Sequence, residues 1–116
     1  MVTPGSLSDK RAIREVAEMT VKCLKENIPS DLPGVAFLSG GQTELEATAH
    51  LNEMNKIGEF PWKLSFSYGR ALQQSALKAW SGQSENIFIA QDELSHRAEM
   101  NKLAALGQWD IKLEDR

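Results

Sequence analysis

Two short apolar segments, each followed by a glycine-containing turn and a helical pattern, constrain the fold of this chain more than any other feature. The first segment is Val35–Leu38, which leads into Ser39–Gly41, and the second is Trp62–Ser67, which leads into Tyr68–Arg70. Each unit has the pattern of a strand that passes through a tight turn into a helix. Strands that alternate with helices form parallel βαβ units, so we predict an α/β fold.

Helical periodicity predicts the remaining elements. The predicted helices run from Ser6 or Ser8 to about Asn27, from Thr43 to Lys56, from Ala71 to Trp80 and from about Ser84 to Leu106. We expect the last helix to bury its apolar positions, which are Ile87, Ile89, Ala90, Leu94, Ala98 and Leu103. His96 is expected at the surface, and the tail Gly107–Arg116 has no pattern that assigns it a place.

The two predicted strands need further strands beside them. Val35–Leu38 is continuously apolar, which is typical of a strand that is buried on both faces. A sheet of two strands is only marginally stable by itself. We therefore expect this chain to form part of a larger sheet or barrel.

The two turns together have the composition of a phosphate site. Glycine allows a sharp turn and lets a ligand approach the main chain closely. A helix N-terminus presents unpaired N–H groups and a partial positive charge, so it favours an anion. Two such turns, one strand–helix unit apart, would place their N–H donors side by side. The candidate phosphate-binding residues are Ser39, Gly40, Gly41, Ser67, Gly69 and Arg70.

Arg70 lies where the second of these helices is expected to begin. A cation at a helix N-terminus opposes the helix dipole by roughly 0.3–1 kcal/mol, and a bound anion would offset that cost. On Arg70 alone, a solvated arginine is the better interpretation. With the two glycine turns beside it, we favour an anion ligand.

Charge and composition exclude several classes of function. The net charge of −3 argues against a nucleic acid or an anionic membrane as partner. No signal peptide and no membrane-spanning apolar run is recognisable, so we expect a cytoplasmic protein. His50 has no second ligand one helical turn away, and we expect no metal site.

Longer motifs extend over most of the chain; they are Met1–Gly5, Phe37–Gln42, Leu51–Lys56, Phe66–Gln73 and Ser75–Trp80. Together they resemble class I fructose-1,6-bisphosphate aldolase. The resemblance implies a (β/α)8 TIM barrel. Residues 1–116 would be one partial-barrel domain, from the end of strand six through strands seven and eight to the C-terminal helix. Many barrels of this kind bind phosphate with the loops that follow strands seven and eight.

The resemblance also implies an activity. The family cleaves fructose 1,6-bisphosphate to dihydroxyacetone phosphate and glyceraldehyde 3-phosphate in glycolysis, through a Schiff base on a lysine. The first turn would hold a substrate phosphate through main-chain donors, and the second would complete the site, with Arg70 as a charged clamp. In the family, the Schiff-base lysine belongs to a Lys-Pro-Asn that precedes the motif Met1–Gly5. No lysine of this chain matches it, so we assign no catalytic residue here.

The implied partners are a sugar-phosphate substrate, the remainder of the aldolase barrel and the other subunits of a homotetramer. No cofactor is implied. An alternative for these 116 residues is a partial barrel without catalytic activity, which holds a sugar phosphate or packs on a partner.

Overall fold

The computed structural model describes every residue from Met1 to Arg116 and has an α/β architecture. The main elements are α1 (Ile13–Asn27), β1 (Gly34–Phe37), α2 (Glu44–Ile57), β2 (Lys63–Phe66), α3 (Arg70–Trp80) and α4 (Ile87–Ala105). Short 3-10 helices cover Ser84–Asn86 and Ile111–Glu114. None of the helices combines the length and the apolar character needed to cross a bilayer.

The strands β1 and β2 form a parallel pair, with Gly34 opposite Lys63 and Phe37 opposite Phe66. Because α2 connects them, the predicted βαβ unit is confirmed. The expectation that the first strand is buried on both faces is not met within this chain, where Leu38 lies beyond the strand and is 72% exposed. The reason is that β1 packs mainly against β2 and only slightly against the helices of this chain, which would have to cover its faces.

Helix α2 begins at the predicted place because its N-terminus is capped by side chains. The Thr43 hydroxyl accepts from the Glu46 N–H at 3.1 Å, and the Glu46 carboxylate accepts from the Thr43 N–H at 3.0 Å. This reciprocal pair is a capping box. The helix ends at Ile57 and is followed by Gly58, whose φ of 63° is in the left-handed region that glycine tolerates.

Helix α1 begins at Ile13, later than predicted, and neither Ser6 nor Ser8 caps it. The segment before it is held by contacts with other elements. The Val2 N–H donates to the Thr20 hydroxyl at 2.9 Å, and the Lys10 ammonium contacts the Glu46 carboxylate at 2.5 Å. Because these contacts hold residues 2–10 against α1 and α2, the segment does not extend the helix. The predicted end at Asn27 is confirmed.

The hydrophobic core lies where α2 packs against α1, α4 and the sheet. Its members include Ala17, Val21, Leu51, Met54, Trp62 and Leu64, all almost fully buried. The polar atoms of two buried aromatic side chains are also hydrogen-bonded. The Trp62 Nε1–H donates to the Pro29 carbonyl at 2.8 Å, and the Tyr68 hydroxyl donates to the Ala47 carbonyl at 2.8 Å.

The prediction for the buried face of α4 was wrong. Ile87, Ile89 and Leu94 are exposed, and the buried residues are Arg97, Met100, Asn101 and Ala104. These residues have helical spacing, but two of them are polar. Asn101 is fully buried because its side chain accepts from the Thr48 hydroxyl at 2.7 Å and donates to the Arg97 carbonyl at 3.0 Å.

The C-terminal tail, which the sequence did not place, folds back onto α2 and α4. The Glu114 carboxylate accepts from Arg97 Nη1 at 2.5 Å and from Trp109 Nε1 at 2.9 Å, and its Oε2 lies 3.1 Å from His96 Nε2. We call these residues the Glu114 cluster. The His96 side chain is only 10% exposed, so its predicted surface position was wrong. Asn52 adds two hydrogen bonds to the main chain of Trp109.

Candidate phosphate-binding site

The two glycine turns lie side by side at the carboxyl ends of β1 and β2. The first turn is Ser39–Gly41 and the second turn is Ser67–Gly69, which leads directly into α3 at Arg70. The Ser67 N–H donates to the Phe37 carbonyl at 2.8 Å and so extends the strand pairing to the start of both turns. All six predicted residues are therefore brought to the same edge of the sheet.

The first turn is folded around the carbonyl group of Ser39. This oxygen accepts from the Gln42 N–H at 3.1 Å and from Gln42 Nε2 at 2.9 Å. Gly40 has a φ of 55°, which is in the left-handed region. A Cβ atom at Gly40 or at Gly41 would meet no protein atom within 4 Å. The main chain of the turn is therefore open on the side where the glycines lack side chains.

Several main-chain donors of the two turns have no acceptor within the chain. The N–H groups of Ser39, Gly40, Gly41 and Gly69 donate no hydrogen bond to another residue. The N–H groups of Arg70 and Ala71 at the start of α3 also lack acceptors, whereas that of Leu72 donates to the Gly69 carbonyl at 3.1 Å. Donors of this kind, from two adjacent turns, suit the oxygens of a phosphate group.

The peptide planes determine which way these donors point. Every peptide bond of the chain is trans, so each N–H points opposite to the carbonyl of the preceding residue. The Ser39 carbonyl is directed at Gln42, and the Gly40 N–H therefore points away from Gln42. The Gly40 carbonyl accepts from Arg70 Nη2 at 3.0 Å, so the Gly41 N–H points away from that guanidinium.

Arg70 is the first residue of α3 and is exposed to solvent. One of its N–H groups is bonded to the first turn, and the planar guanidinium has five in total. The side chain thus crosses from the second turn to the first and keeps donors free. Arg70 is therefore not a freely solvated arginine. Its remaining N–H groups could donate to an anion between the turns.

Sequence reasoning did not identify the support behind the first turn. His50 is buried in α2, and its Nδ1 lies 2.6 Å from Gln42 Oε1. Burial lowers the pKa of His50, and the nearby Glu46 carboxylate opposes this shift. The sequence offered only one signal, the position of Gln42 directly after the glycines. The helical pattern around His50 gives no sign of a contact with Gln42.

A cleft of about 380 Å³ adjoins the first turn on the side of the N-terminal segment. Gly41, Gln42 and His50 form one wall of the cleft, and residues 3–13 form much of the other. Lys10 and Arg11 lie on this second wall, and Lys10 pairs with the Glu46 carboxylate, which also lines the cleft.

Comparison with known proteins gives a consistent result over the whole length of the chain. The family described as "Glycolytic: Fructose-bisphosphate aldolase class-I" matches residues 1–116. The chain is 55% identical over 111 residues to a "Probable fructose-bisphosphate aldolase class 1" of Xanthomonas axonopodis pv. citri, covering 94% of this chain and 33% of that protein. It is 57% identical over 110 residues to a "Fructose-bisphosphate aldolase, cytoplasmic isozyme" of Cicer arietinum, covering 94% of this chain and 31% of the relative.

A solved structure agrees with these relatives. The fructose-bisphosphate aldolase of Plasmodium falciparum, described in complex with TRAP and a small molecule inhibitor, superposes with a TM-score of 0.90 at 48% identity. The match covers 95% of this chain and 32% of that chain, so this chain spans about a third of the length of the proteins it matches. The chain belongs to the class I fructose-bisphosphate aldolase family.

Proposed function

We propose that residues 1–116 supply the substrate-phosphate site of a class I fructose-bisphosphate aldolase, which cleaves fructose 1,6-bisphosphate reversibly in glycolysis. The first turn and the second turn bind a phosphate group of the sugar through main-chain N–H groups, and Arg70 adds a charged hydrogen bond. The observation that carries this proposal is the bond between Arg70 Nη2 and the Gly40 carbonyl, which joins the two turns across the ends of β1 and β2.

In this proposal the chain occupies the last sector of a (β/α)8 barrel. The N-terminal segment follows strand six, and β1 and β2 are strands seven and eight. Two parallel strands with open outer edges support this placement, because such edges need neighbours. So does the rule that barrels bind phosphate at the carboxyl ends of these strands. The remainder of the barrel, a sugar phosphate and further subunits of a homotetramer are the proposed partners.

The proposed location is the cytoplasm. Its support is the description of the relatives from Cicer arietinum and Pisum sativum as cytoplasmic isozymes.

The site can be tested in a chimera in which residues 1–116 replace the matching segment of the Cicer arietinum relative. The remainder of that protein gives β1 and β2 neighbouring strands. Hydrogen exchange is measured by mass spectrometry with and without fructose 1,6-bisphosphate. With the bisphosphate, we expect slower exchange in peptides over residues 38–43 and 66–72. Exchange over residues 87–95, which serve as the control, should not change. Unchanged exchange in both turn peptides would contradict the proposed site.

The alternative is a partial barrel without catalytic activity, in which no lysine of residues 1–116 forms a Schiff base. Borohydride reduction of the chimera with dihydroxyacetone phosphate separates the two roles. We expect the reduced adduct to map to the relative's portion and to no lysine within residues 1–116. An adduct within residues 1–116 would assign catalysis to this chain.

A further inference from the structure

We propose that His50 is a positioning residue that acts through Gln42 to turn the Gly40 N–H toward a substrate phosphate. This inference rests on the proposed phosphate site and adds to it a residue that touches neither the ligand nor the turn. The argument follows a chain of hydrogen bonds from the buried face of α2 to the open face of the first turn.

The first step is the orientation of the Gln42 carboxamide. Its nitrogen Nε2 lies 2.9 Å from the carbonyl oxygen of Ser39, and that oxygen can only accept. The NH₂ group of the carboxamide therefore faces the turn. The other end of the same group, Oε1, consequently faces His50.

The second step fixes the proton on the imidazole. Oε1 of Gln42 can only accept, and His50 Nδ1 lies 2.6 Å from it. Nδ1 must therefore carry the hydrogen and donate it. Since burial lowers the pKa of His50, the ring is the neutral Nδ1–H tautomer at neutral pH and makes this bond without a buried charge.

The third step is the rigidity of the support. His50 is 5% exposed and lies two turns into α2, the helix that the capping box fixes at its start. Gln42, by contrast, lies outside any helix or strand, and its long side chain has much rotamer freedom to lose. A buried donor on α2 restricts this freedom, so Gln42 is already oriented before a ligand arrives.

The consequence for the ligand follows from the trans peptide between Ser39 and Gly40. When Gln42 holds the carbonyl of Ser39 on one side, the Gly40 N–H must point to the other side. Without the imidazole, the carboxamide can rotate, and the Ser39 carbonyl keeps only the bond from the Gln42 main-chain N–H at 3.1 Å, so the glycine turn is less restricted in its peptide orientations. Only the fraction of molecules whose Gly40 N–H points toward the phosphate then binds substrate, so the apparent affinity for substrate falls.

Three variants of the chimera test this proposal. His50→Leu has a similar size and no donor, whereas in His50→Asn the amide nitrogen occupies nearly the position of Nδ1 and can donate. Loss of one neutral hydrogen bond is worth about 0.5–1.5 kcal/mol. We therefore expect His50→Leu to weaken fructose 1,6-bisphosphate binding about three- to tenfold, mainly through KM, and His50→Asn to restore it to within about twofold.

The third variant, Gln42→Met, breaks the same chain of bonds at an accessible side chain and serves where His50→Leu does not fold. The double variant His50→Leu/Gln42→Met should bind no more weakly than Gln42→Met alone, because both changes remove one function. Exchange of the peptide over residues 38–43 without ligand should rise in His50→Leu and not in His50→Asn. Equal affinities of His50→Leu and His50→Asn, or strictly additive single effects, would overturn the proposal.

Arg70→Ala, measured in parallel, separates this proposal from the phosphate site itself. If Arg70→Ala leaves bisphosphate affinity unchanged, both the proposed phosphate site and the positioning role of His50 are contradicted. If Arg70→Ala weakens binding and neither His50→Leu nor Gln42→Met does, the site stands and only the positioning role is overturned.

Discussion

The guanidinium of Arg70 donates to the carbonyl oxygen of Gly40 at 3.0 Å, and this bond joins the two loops that follow β1 and β2. Gly40 in turn has a main-chain N–H without a partner in the chain. The first turn is therefore held at both of its peptide planes, by Gln42 on one side and by Arg70 on the other. Such prior ordering reduces the entropy that a ligand must remove on binding.

Replacement of Arg70 by alanine in the chimera should weaken the binding of fructose 1,6-bisphosphate by about ten- to a hundredfold. The reason is the loss of a charge-assisted hydrogen bond, worth roughly 1.5–3 kcal/mol. Arg70→Lys should recover only part of the affinity, because an ammonium lacks the planar fork. Calorimetric titration measures both variants.

The matched control for Arg70→Ala is Arg116→Ala, which removes the same charge from a side chain that pairs with Asp92 and Glu93 on α4. We expect this control to bind the bisphosphate as the unaltered chimera does. Equal dissociation constants for Arg70→Ala and Arg116→Ala would show that Arg70 is a solvated surface arginine. Unfolding free energies should change by less than about 0.5–1 kcal/mol, since both side chains lie at the surface and surface ion pairs contribute little.

Alanine at Gly40 and alanine at Gly41 should differ in their effect on stability. Gly40 has a φ of 55°, and a Cβ atom in that conformation costs roughly 1–2 kcal/mol. Gly41 has no positive φ and no nearby atom that a methyl group would meet, so Gly41→Ala should be nearly neutral. Denaturant unfolding of the two chimera variants measures this difference, and equal midpoints would contradict it.

Local signals explain which parts of the fold could be predicted. The βαβ unit, the start of α2 at its Thr43 cap and the helix after the second turn were each encoded within a few neighbouring residues. The start of α1 was not, because Val2 and Lys10 are held by residues of α1 and α2 that lie far along the chain. Contacts of this kind override a local capping signal.

The same reasoning explains the errors in α4 and the site. The buried face of α4 contains Arg97 and Asn101, whose partners Thr48 and Glu114 are distant in sequence, and a search for apolar periodicity cannot find them. The glycine turns were predicted because their residue types require a special backbone. The role of His50 was not, because it depends on a hydrogen bond that appears only in three dimensions.

Acidification should destabilise the chimera through His50. Because burial lowers the pKa of His50 below the ordinary value of about 6.5, the unfolded state binds its proton more readily than the folded state. This contribution to stability is complete above pH 6.5 and is lost as the pH falls toward the folded-state pKa. The Glu46 carboxylate and the N-terminal amino group act on the same ring in opposite directions, and Lys10 and Arg11 line the adjoining cleft.

The variant His50→Asn isolates this titration because it keeps the donor and removes the ionisable ring. We expect the free energy of unfolding of the unaltered chimera, relative to His50→Asn, to fall between pH 7.5 and pH 5.5. Urea denaturation at several pH values measures it. A difference that stays constant over this range would contradict a buried neutral histidine.

The Glu114 cluster should contribute to stability in a strongly non-additive way. The Arg97 side chain is 2% exposed and contacts Glu114, which is 14% exposed. Removal of one partner from a buried ion pair typically costs about 3–5 kcal/mol, because the other charge is left uncompensated. Glu114→Gln should therefore destabilise the chimera by several kcal/mol, whereas Arg97→Met/Glu114→Gln should recover a large part of that loss.

The recovery should be incomplete, because Arg97 also donates to the Thr48 hydroxyl at 2.6 Å and supports the bond from Thr48 to Asn101. The Arg97 Nε–H has no acceptor in the chain, so the guanidinium lacks one hydrogen bond even when it is paired with Glu114. Replacement by methionine removes this buried, unpaired donor and so favours recovery of stability. Denaturant unfolding of both single variants and the double variant gives the coupling free energy. Additive effects would mean that Glu114 and Arg97 stabilise the tail independently, through His96, Trp109 and Thr48.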